Sequence, residues 1–230
     1  MKLTIIIPIY NEENTIKQIV DKVLSVDYGM EKEIIMVDDG STDGTSHIIN
    51  QFNNKEISIY FHPINYGKGR AIKTALRHAT GNIIVFQDGD LEYNPEDYKK
   101  ILRHMLHNNV SIVYGSRFKG GATSRVMPGH FIGNKLLSFM TTLLYQKHIS
   151  DMETCYKAFR KEILDCIDIE SDGFDIEPEI TAKLLKKGYD IAEVGISYTP
   201  RSYKQGKKIC WKDGMMALYI LFKYRFFGAQ

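Results

Sequence analysis

The strongest constraint on the fold is a repeated alternation of apolar runs and helical patterns before residue 110. Four short runs of β-branched and apolar residues are each followed by a polar turn and a segment of helical periodicity. Continuous apolar runs are typical of strands buried on both faces. The alternation therefore predicts an α/β domain built on a parallel sheet with right-handed crossovers. The predicted strands are residues 3–9, 33–37, 57–61 and 82–86.

Acidic turns follow two of these strands, Asp38-Asp39 after the second and Asp88-Gly89-Asp90-Leu91-Glu92 after the fourth. Ligands of parallel α/β sheets bind outside the carboxyl ends of the strands, so both turns are expected at one edge. Asp88 and Asp90, two positions apart on extended backbone, can face one point and hold a divalent cation through oxygen. The alternative is that the acids only cap turns and helices.

Composition excludes several classes of protein. The chain has 230 residues, 43% hydrophobic and 25% charged, with a net charge of +2, which is ordinary for a globular protein and gives no reason to expect a nucleic-acid partner. The longest apolar stretch, Met215–Phe222, is far short of the roughly 20 residues that span a bilayer. No signal peptide precedes the first strand, so a cytoplasmic location is expected.

The C-terminal part is basic and aromatic. A helix at 131–146 and a tail helix at 211–227 carry apolar residues at helical spacing, with Lys212, Lys223 and Arg225 flanking the second. Such helices are expected to lie on the cytoplasmic face of a membrane. Packing into the core or dimerisation is the competing interpretation. We predict a catalytic domain at 1–198 and a basic loop with a membrane-associating tail at 199–230.

Six sequence blocks occur in a characteristic order and spacing: Thr4–Glu12, Val37–Gly44, Gly67-Lys68-Gly69, Asp88–Glu92, Gly115-Ser116-Arg117 and Asp151–Lys157. Together they resemble family 2 glycosyltransferases of the GT-A fold, in the branch of dolichyl- or polyprenyl-phosphate sugar synthases. The resemblance implies a Rossmann-like mixed sheet flanked by helices, without a transmembrane segment. It also implies an inverting, metal-dependent transfer of mannose or glucose from GDP-mannose or UDP-glucose to a polyprenyl or dolichyl phosphate.

The resemblance also implies roles for individual residues around the donor. The diphosphate and a Mg²⁺ or Mn²⁺ ion are expected at the acidic cluster, with Asp88, Asp90 and Glu92 as metal ligands and Asp88, Asp90 and Arg117 as the catalytic set. A flexible segment matching 198–208 is expected to close over the donor. The nucleotide-sugar contacts implied are Pro8, Tyr10, Glu12, Val37, Asp39, Asp88, Gly89, Asp90, Arg117, Arg201 and Lys207.

The acceptor is less constrained by the sequence. A lipid phosphate is already an anion at neutral pH, so its attack needs no general base, whereas a sugar hydroxyl must be deprotonated. Arg117, Arg125 and His130 are the candidates to receive an acceptor phosphate. Asp151 or Glu153 is the candidate base of the alternative, a transferase that acts on a glycan hydroxyl. A non-catalytic protein that binds nucleotide-sugars or membranes is a further alternative, which the intact acidic cluster disfavours.

Overall fold

The computed structural model describes residues 1–119, 128–201 and 211–227, and of residues 128–131 the backbone alone. Within these ranges, seven strands form one sheet in the order β3-β2-β1-β4-β6-β5-β7. The strands are β1 (Lys2–Ile9), β2 (Glu31–Asp38), β3 (Ile57–Phe61), β4 (Ile83–Phe86), β5 (Ile112–Ser116), β6 (Lys157–Arg160) and β7 (Ala192–Gly195). The helices are α1 (Ile16–Ser25), α2 (Thr45–Ile49), α3 (Lys68–Leu76), α4 (Tyr98–His107), α5 (Pro128–Tyr145), α6 (Lys161–Leu164), α7 (Ile176–Lys186) and α8 (Trp211–Phe226), and a 3-10 turn (Pro95–Asp97) precedes α4.

The first four strands are parallel, as the alternation predicts. β1 lies between β2 and β4, and Ile6 in its centre pairs with Ile35 on one side and Phe86 on the other. The isoleucines of β1 have no solvent exposure because α1 and α3 cover the sheet. Burial on both faces is what selects a continuous apolar run here. As a result, the acidic turns after β2 and β4 lie at the same edge.

β6 is the exception to the parallel sheet that the alternation predicts. It pairs antiparallel with both β4 and β5, which makes the sheet mixed, as the resemblance implies. Val85, near the carboxyl end of β4, pairs with Ala158, near the start of β6. Because β6 runs the opposite way, the segment that precedes it, 151–156, lies at the edge where the parallel strands end. A reversed strand thus brings a further acidic block to the same edge.

Helices α5, α7 and α8 form a second hydrophobic cluster beside the sheet. Leu137 of α5 and Leu221 of α8 are buried there, and the Tyr145 hydroxyl donates to the Leu221 carbonyl at 2.9 Å. α5 and α8 also carry large apolar side chains on their outer faces, for example Phe139 (62% exposed) and Tyr219 (61%). The predicted apolar arcs therefore divide into a packed face and an exposed face. No helix in the described ranges is both long and apolar enough to cross a bilayer.

Candidate active site at the carboxyl edge of the sheet

A cavity of about 330 Å³ lies at the carboxyl edge of the sheet, and most of the residues predicted for the site line it. Val37 is different, since it is buried inside β2 and is not part of the wall. Arg125 and Lys207 lie outside the described residues, as do most of the segment 198–208 and the side chain of His130. The predicted residues in the wall are Pro8, Tyr10, Glu12, Asp39, Asp88, Gly89, Asp90, Glu92, Arg117 and Arg201.

Asp39, predicted to contact the nucleoside, organises the loop after β3. Its carboxylate accepts from the backbone N–H groups of Tyr66 (3.0 Å) and Gly67 (2.7 Å) and from the Asn65 amide (2.9 Å). His62 Nδ1 lies 2.7 Å from Oδ1. A carboxylate has about four acceptor positions, so the side chain of Asp39 is already satisfied. These bonds hold the loop after β3 in place as part of the cavity wall. The sequence did not predict them.

Asp38 remains in its turn, in agreement with the capping alternative. One carboxylate oxygen accepts from the backbone N–H of Ser41 at 3.0 Å, and the other accepts from the hydroxyl of Ser46. The side chain is buried, and it does not line the cavity. The two neighbouring aspartates therefore differ in position, and only Asp39 reaches the wall.

The acidic cluster after β4 crowds negative charge into the cavity. Asp88 Oδ1 lies 2.8 Å from Lys68 Nζ. Burial by itself would raise the pKa of Asp88, but the Lys68 ammonium holds it below its usual value. Burial, and next the charge of Asp88, raises the pKa of Asp90 to about 7. The two carboxylates thus share an environment that one or more additional positive charges would stabilise.

Capping explains only part of this cluster: Oδ1 of Asp90 accepts from the backbone N–H of Glu92 at 3.0 Å within the turn, but the helical turn that follows is capped by another residue. Asn94 caps the 3-10 turn, because its side chain accepts from the Glu96 N–H at 3.3 Å. Glu92 instead binds the segment that follows β7: its Oε1 accepts from the backbone N–H of Arg201 at 2.6 Å and its Oε2 from the hydroxyl of Tyr198 at 3.0 Å. Glu92 therefore connects the acidic cluster to residues 198–201.

The carboxylates of the acidic cluster are possible ligands of a divalent ion. Within the described ranges, no group of three or more His, Cys, Asp or Glu side chains is arranged as a complete metal cage. Mg²⁺ in phosphate-binding sites needs only one or two carboxylates, because substrate oxygens and water supply the remaining ligands. Asp88 and Asp90 supply two such carboxylates, and one oxygen of each is paired with a cation, Lys68 or Arg201, that a bound ion would join or replace. Both oxygens of Glu92 accept hydrogen bonds from residues 198–201. The site fits an ion bound jointly by two aspartates and a phosphorylated ligand.

Arg201 forms ion pairs with two acids of the cavity wall. Its guanidinium reaches both carboxylate oxygens of Glu12, at 2.9 and 3.0 Å, and Nη2 lies 3.0 Å from Asp90 Oδ2. Both acids were predicted to contact the nucleotide-sugar or its metal. In this arrangement Arg201, together with Lys68, supplies positive charge that balances the acidic cluster.

Arg117 forms a different kind of pair with Asp151. Nε and Nη2 donate to the two carboxylate oxygens at 2.8 and 2.7 Å, and the backbone N–H of Arg117 adds a third bond of 2.9 Å. Asp151 has no exposed surface. The guanidinium carbon of Arg117 lies 5.1 Å from the centroid of the Tyr198 ring. Asp151 is therefore committed to Arg117 and is not available as a base.

Glu153, the other candidate base, is available. It lines the cavity, and its buried Oε1 has no hydrogen-bond partner among the described residues. Burial raises the pKa of Glu153 to about 7, against the opposing effect of the Lys157 ammonium. A carboxyl group with such a pKa can exchange a proton near neutral pH.

Three charged residues of the cavity wall were not assigned a role from the sequence: Lys68 at the start of α3, Glu177 on α7 and Asp213 on α8. Lys68 belongs to the Gly-Lys-Gly block, so a signal for it existed. Nothing in the local sequence marks Glu177, since a glutamate in the first turn of a helix is most often solvated.

Comparisons with known proteins concern the family and the fold. The model of glycosyl transferase family 2 matches residues 4–168. The chain is 32% identical to UDP-N-acetylglucosamine–dolichyl-phosphate N-acetylglucosaminyltransferase from Methanococcus voltae, with 89% of each chain covered. It is 28% identical to an uncharacterised protein of Methanocaldococcus jannaschii, with 98% of this chain and 93% of that protein covered.

Among solved structures, the chain is similar to glucosyl-3-phosphoglycerate synthase from Mycobacterium tuberculosis in complex with Mn²⁺ and UDP-glucose. The TM-score is 0.71 at 21% identity, and the match covers 97% of this chain and 78% of that one. At this level of identity the likeness establishes the fold.

Proposed function

The chain belongs to glycosyl transferase family 2 and has its GT-A architecture, and from that premise we propose that it transfers a hexose from a nucleotide-sugar to a polyprenyl or dolichyl phosphate. The observation that carries the choice of acceptor is the position of the cavity beside an apolar surface. Asn134 of α5 and Asp213 of α8 line the cavity, and the same two helices expose apolar side chains outward. A lipid chain on that surface would bring its phosphate to the cavity.

The donor would bind with its diphosphate at the acidic cluster. Asp88 and Asp90 would hold Mg²⁺ or Mn²⁺, which acts when bound as a Lewis acid toward the leaving diphosphate. Arg201 is placed to transfer its ion pairs from Glu12 and Asp90 to phosphate oxygens, which a guanidinium grips in the same bidentate way. Crystals of the M. tuberculosis synthase with Mn²⁺ and UDP-glucose support a divalent ion and a uridine nucleotide.

The transfer itself needs little proton chemistry. An oxygen of the acceptor phosphate forms the new bond to the anomeric carbon while the bond from that carbon to the diphosphate oxygen breaks. The nucleoside diphosphate leaves with the electron pair, and attack from the opposite side inverts the configuration. The acceptor is already an anion, so the commitment of Asp151 to Arg117 does not hinder this reaction.

A second candidate function is transfer to a sugar hydroxyl of a glycan with Glu153 as the base. The observation in its favour is that Glu153 lines the cavity and has a pKa of about 7, as a general base at neutral pH requires. The name of the M. voltae relative, a dolichyl-phosphate transferase, favours the lipid acceptor.

The deciding experiment offers the purified protein radiolabelled UDP-glucose, GDP-mannose or UDP-N-acetylglucosamine together with polyprenyl phosphate and Mg²⁺ or Mn²⁺. We expect label in the chloroform-extractable fraction with one of the donors, and none in the presence of EDTA. Label that enters only a water-soluble glycan acceptor would support the second candidate and contradict the first.

We also propose that the outer faces of α5 and α8 bind the membrane surface. Their exposed apolar residues recur at intervals of three or four positions, and contiguous exposed apolar patches of this kind mark interaction surfaces. Lys212 and Arg225 add positive charge suited to anionic headgroups. The residues are Ile132, Leu136, Phe139 and Leu143 on α5, with Met215, Tyr219, Phe222 and Phe226 on α8.

Sedimentation with liposomes that contain anionic lipid tests this surface. Phe139→Asp combined with Phe222→Asp is expected to reduce binding at least about tenfold, since each change removes exposed apolar area that the membrane would bury and adds a negative charge. Leu106→Asp, an exposed apolar position on α4, is the matched control and should leave binding unchanged. Equal binding by the double variant would exclude this face as the docking surface.

A further inference from the structure

Lys68 and Glu177 form a charged floor of the cavity next to the acidic cluster. Lys68 begins α3 directly after Gly67, whose N–H is held by Asp39 and whose φ of 106° favours glycine. Lys68 Nζ lies 2.8 Å from Asp88 Oδ1 and 3.0 Å from Glu177 Oε1. The two side chains are only 12% and 6% exposed, so the floor is largely shielded from solvent.

The hydrogen-bonding capacity of this floor is incompletely used. An ammonium group has three N–H donors, and the two acidic neighbours of Lys68 among the described residues use at most two of them, so at least one donor is left for a ligand. Oε2 of Glu177 is taken by the buried Lys157. Oε1 is buried and, although it lies within ion-pair distance of Lys68, it makes no hydrogen bond within the part of the chain that the structure describes. A buried acceptor without a hydrogen bond is costly unless a ligand completes it.

We propose that Lys68 and Glu177 together recognise a hydroxyl group on the sugar of the donor. A hydroxyl both accepts and donates, so one group can receive the spare N–H of Lys68 and donate to Oε1 of Glu177. The inference rests on the proposed function, because it takes the diphosphate to lie at Asp88 and Asp90. The sugar follows the diphosphate directly, and Lys68 contacts Asp88, so the floor is within reach of the sugar ring. The ligand is therefore a neutral sugar with a free hydroxyl, linked to a nucleoside diphosphate.

A purely structural role for the same ion pairs makes a different prediction. If Lys68 only holds Asp88 in place, its loss weakens the binding of a nucleoside diphosphate and of the matching nucleotide-sugar by the same factor. If Lys68 contacts the sugar, its loss weakens the nucleotide-sugar more. The ratio of the two affinities separates the roles, and it does not depend on catalytic activity.

The experiment is calorimetric titration of wild type and Lys68→Met with UDP and UDP-glucose, and with GDP and GDP-mannose, in the presence of Mn²⁺. For the pair that wild type binds, we expect Lys68→Met to weaken nucleotide-sugar binding about tenfold more than diphosphate binding, since a hydrogen bond to a charged group is lost. Lys73→Met is the matched control, because Lys73 lies on the same helix in an ion pair with Asp172 and does not line the cavity.

Equal weakening of both ligands by Lys68→Met, or no weakening, would overturn the inference while leaving the proposed function intact. Failure of wild type to bind any of the four nucleotides would instead overturn the proposed function. A second measurement does not depend on the folding of a variant. Wild type should bind one member of a series of monodeoxy nucleotide-sugars about tenfold more weakly than the parent. Unchanged affinity across the series would also exclude hydroxyl recognition by this floor.

Discussion

The two arginines of the cavity, Arg117 and Arg201, are both paired with carboxylates, but the pairs are of different kinds. Arg117 is held by Asp151, which is completely buried and has no contact with the cavity. Arg201 is held by Glu12 and Asp90, which both line the cavity. Its side chain is 16% exposed, against 8% for Arg117. Residue type alone would not distinguish them.

The difference indicates which charge can be exchanged for a ligand. Removing either partner of a fully buried ion pair leaves an uncompensated charge, so the pair with Asp151 is a fixed part of the scaffold. The partners of Arg201 are carboxylates that a metal ion could also bind, and the phosphate oxygens of a donor could replace them. The contrast predicts that the Arg117 side of the site determines stability and the Arg201 side determines binding.

The largest expected effect is on the free energy of unfolding of the protein when the Arg117–Asp151 pair is broken. Asp151→Asn should lower the free energy of unfolding by about 3 kcal/mol or more, since the buried guanidinium loses its counter-charge. Arg201→Gln should lower it by less, because its partners Glu12 and Asp90 line the cavity, where water and cations can compensate for the lost charge. Urea unfolding of both variants measures the difference. Equal losses would remove the distinction between a fixed and an exchangeable arginine.

The second-largest expected effect is on the rate of sugar transfer when Arg201 is replaced. Arg201→Gln should reduce kcat/KM about 100-fold, as expected for the loss of one charge that stabilises the leaving diphosphate. Arg70→Gln is the control, because Arg70 is likewise paired with an acid, Asp172, but lies outside the cavity wall. Steady-state transfer assays at saturating metal test both variants. A loss of less than threefold for Arg201→Gln would show that the diphosphate does not use this guanidinium.

The smallest effect is expected at Glu153, which tests whether the Arg117 side contributes proton chemistry. Because its pKa is raised to about 7, this carboxyl is neutral below pH 7 and ionised above it. A base would therefore lose activity as the pH falls below 7. With a lipid phosphate acceptor, we expect Glu153→Gln to change the rate by less than about threefold, without altering the pH profile of transfer between pH 6 and 8. If Glu153→Gln instead lowers the rate about 100-fold and removes an ionisation near pH 7 from the pH profile, the hydroxyl acceptor would be favoured.

The pattern of local residues was sufficient to predict the parallel half of the sheet and the shared edge of its acidic turns, because both depend on periodicity and strand order. It could not predict the reversal of β6, since a four-residue strand carries no signal of its direction. The ion-pair partners of the two arginines could not be predicted from the sequence either. Arg117 and Asp151 are 34 positions apart in the sequence, and Arg201 and Glu12 are 189 apart. Only the folded chain determines which carboxylate pairs with which arginine.

The central claim is that the acidic cluster after β4 holds the metal of the leaving diphosphate, and Mn²⁺ binding tests it most directly. Electron paramagnetic resonance can follow Mn²⁺ titrated into wild type and Asp90→Ala in the presence of the nucleoside diphosphate of the preferred donor. We expect one bound ion in wild type and at least about 100-fold weaker binding in Asp90→Ala, because the variant lacks one of two carboxylate ligands. Equal affinity in the two proteins would contradict it.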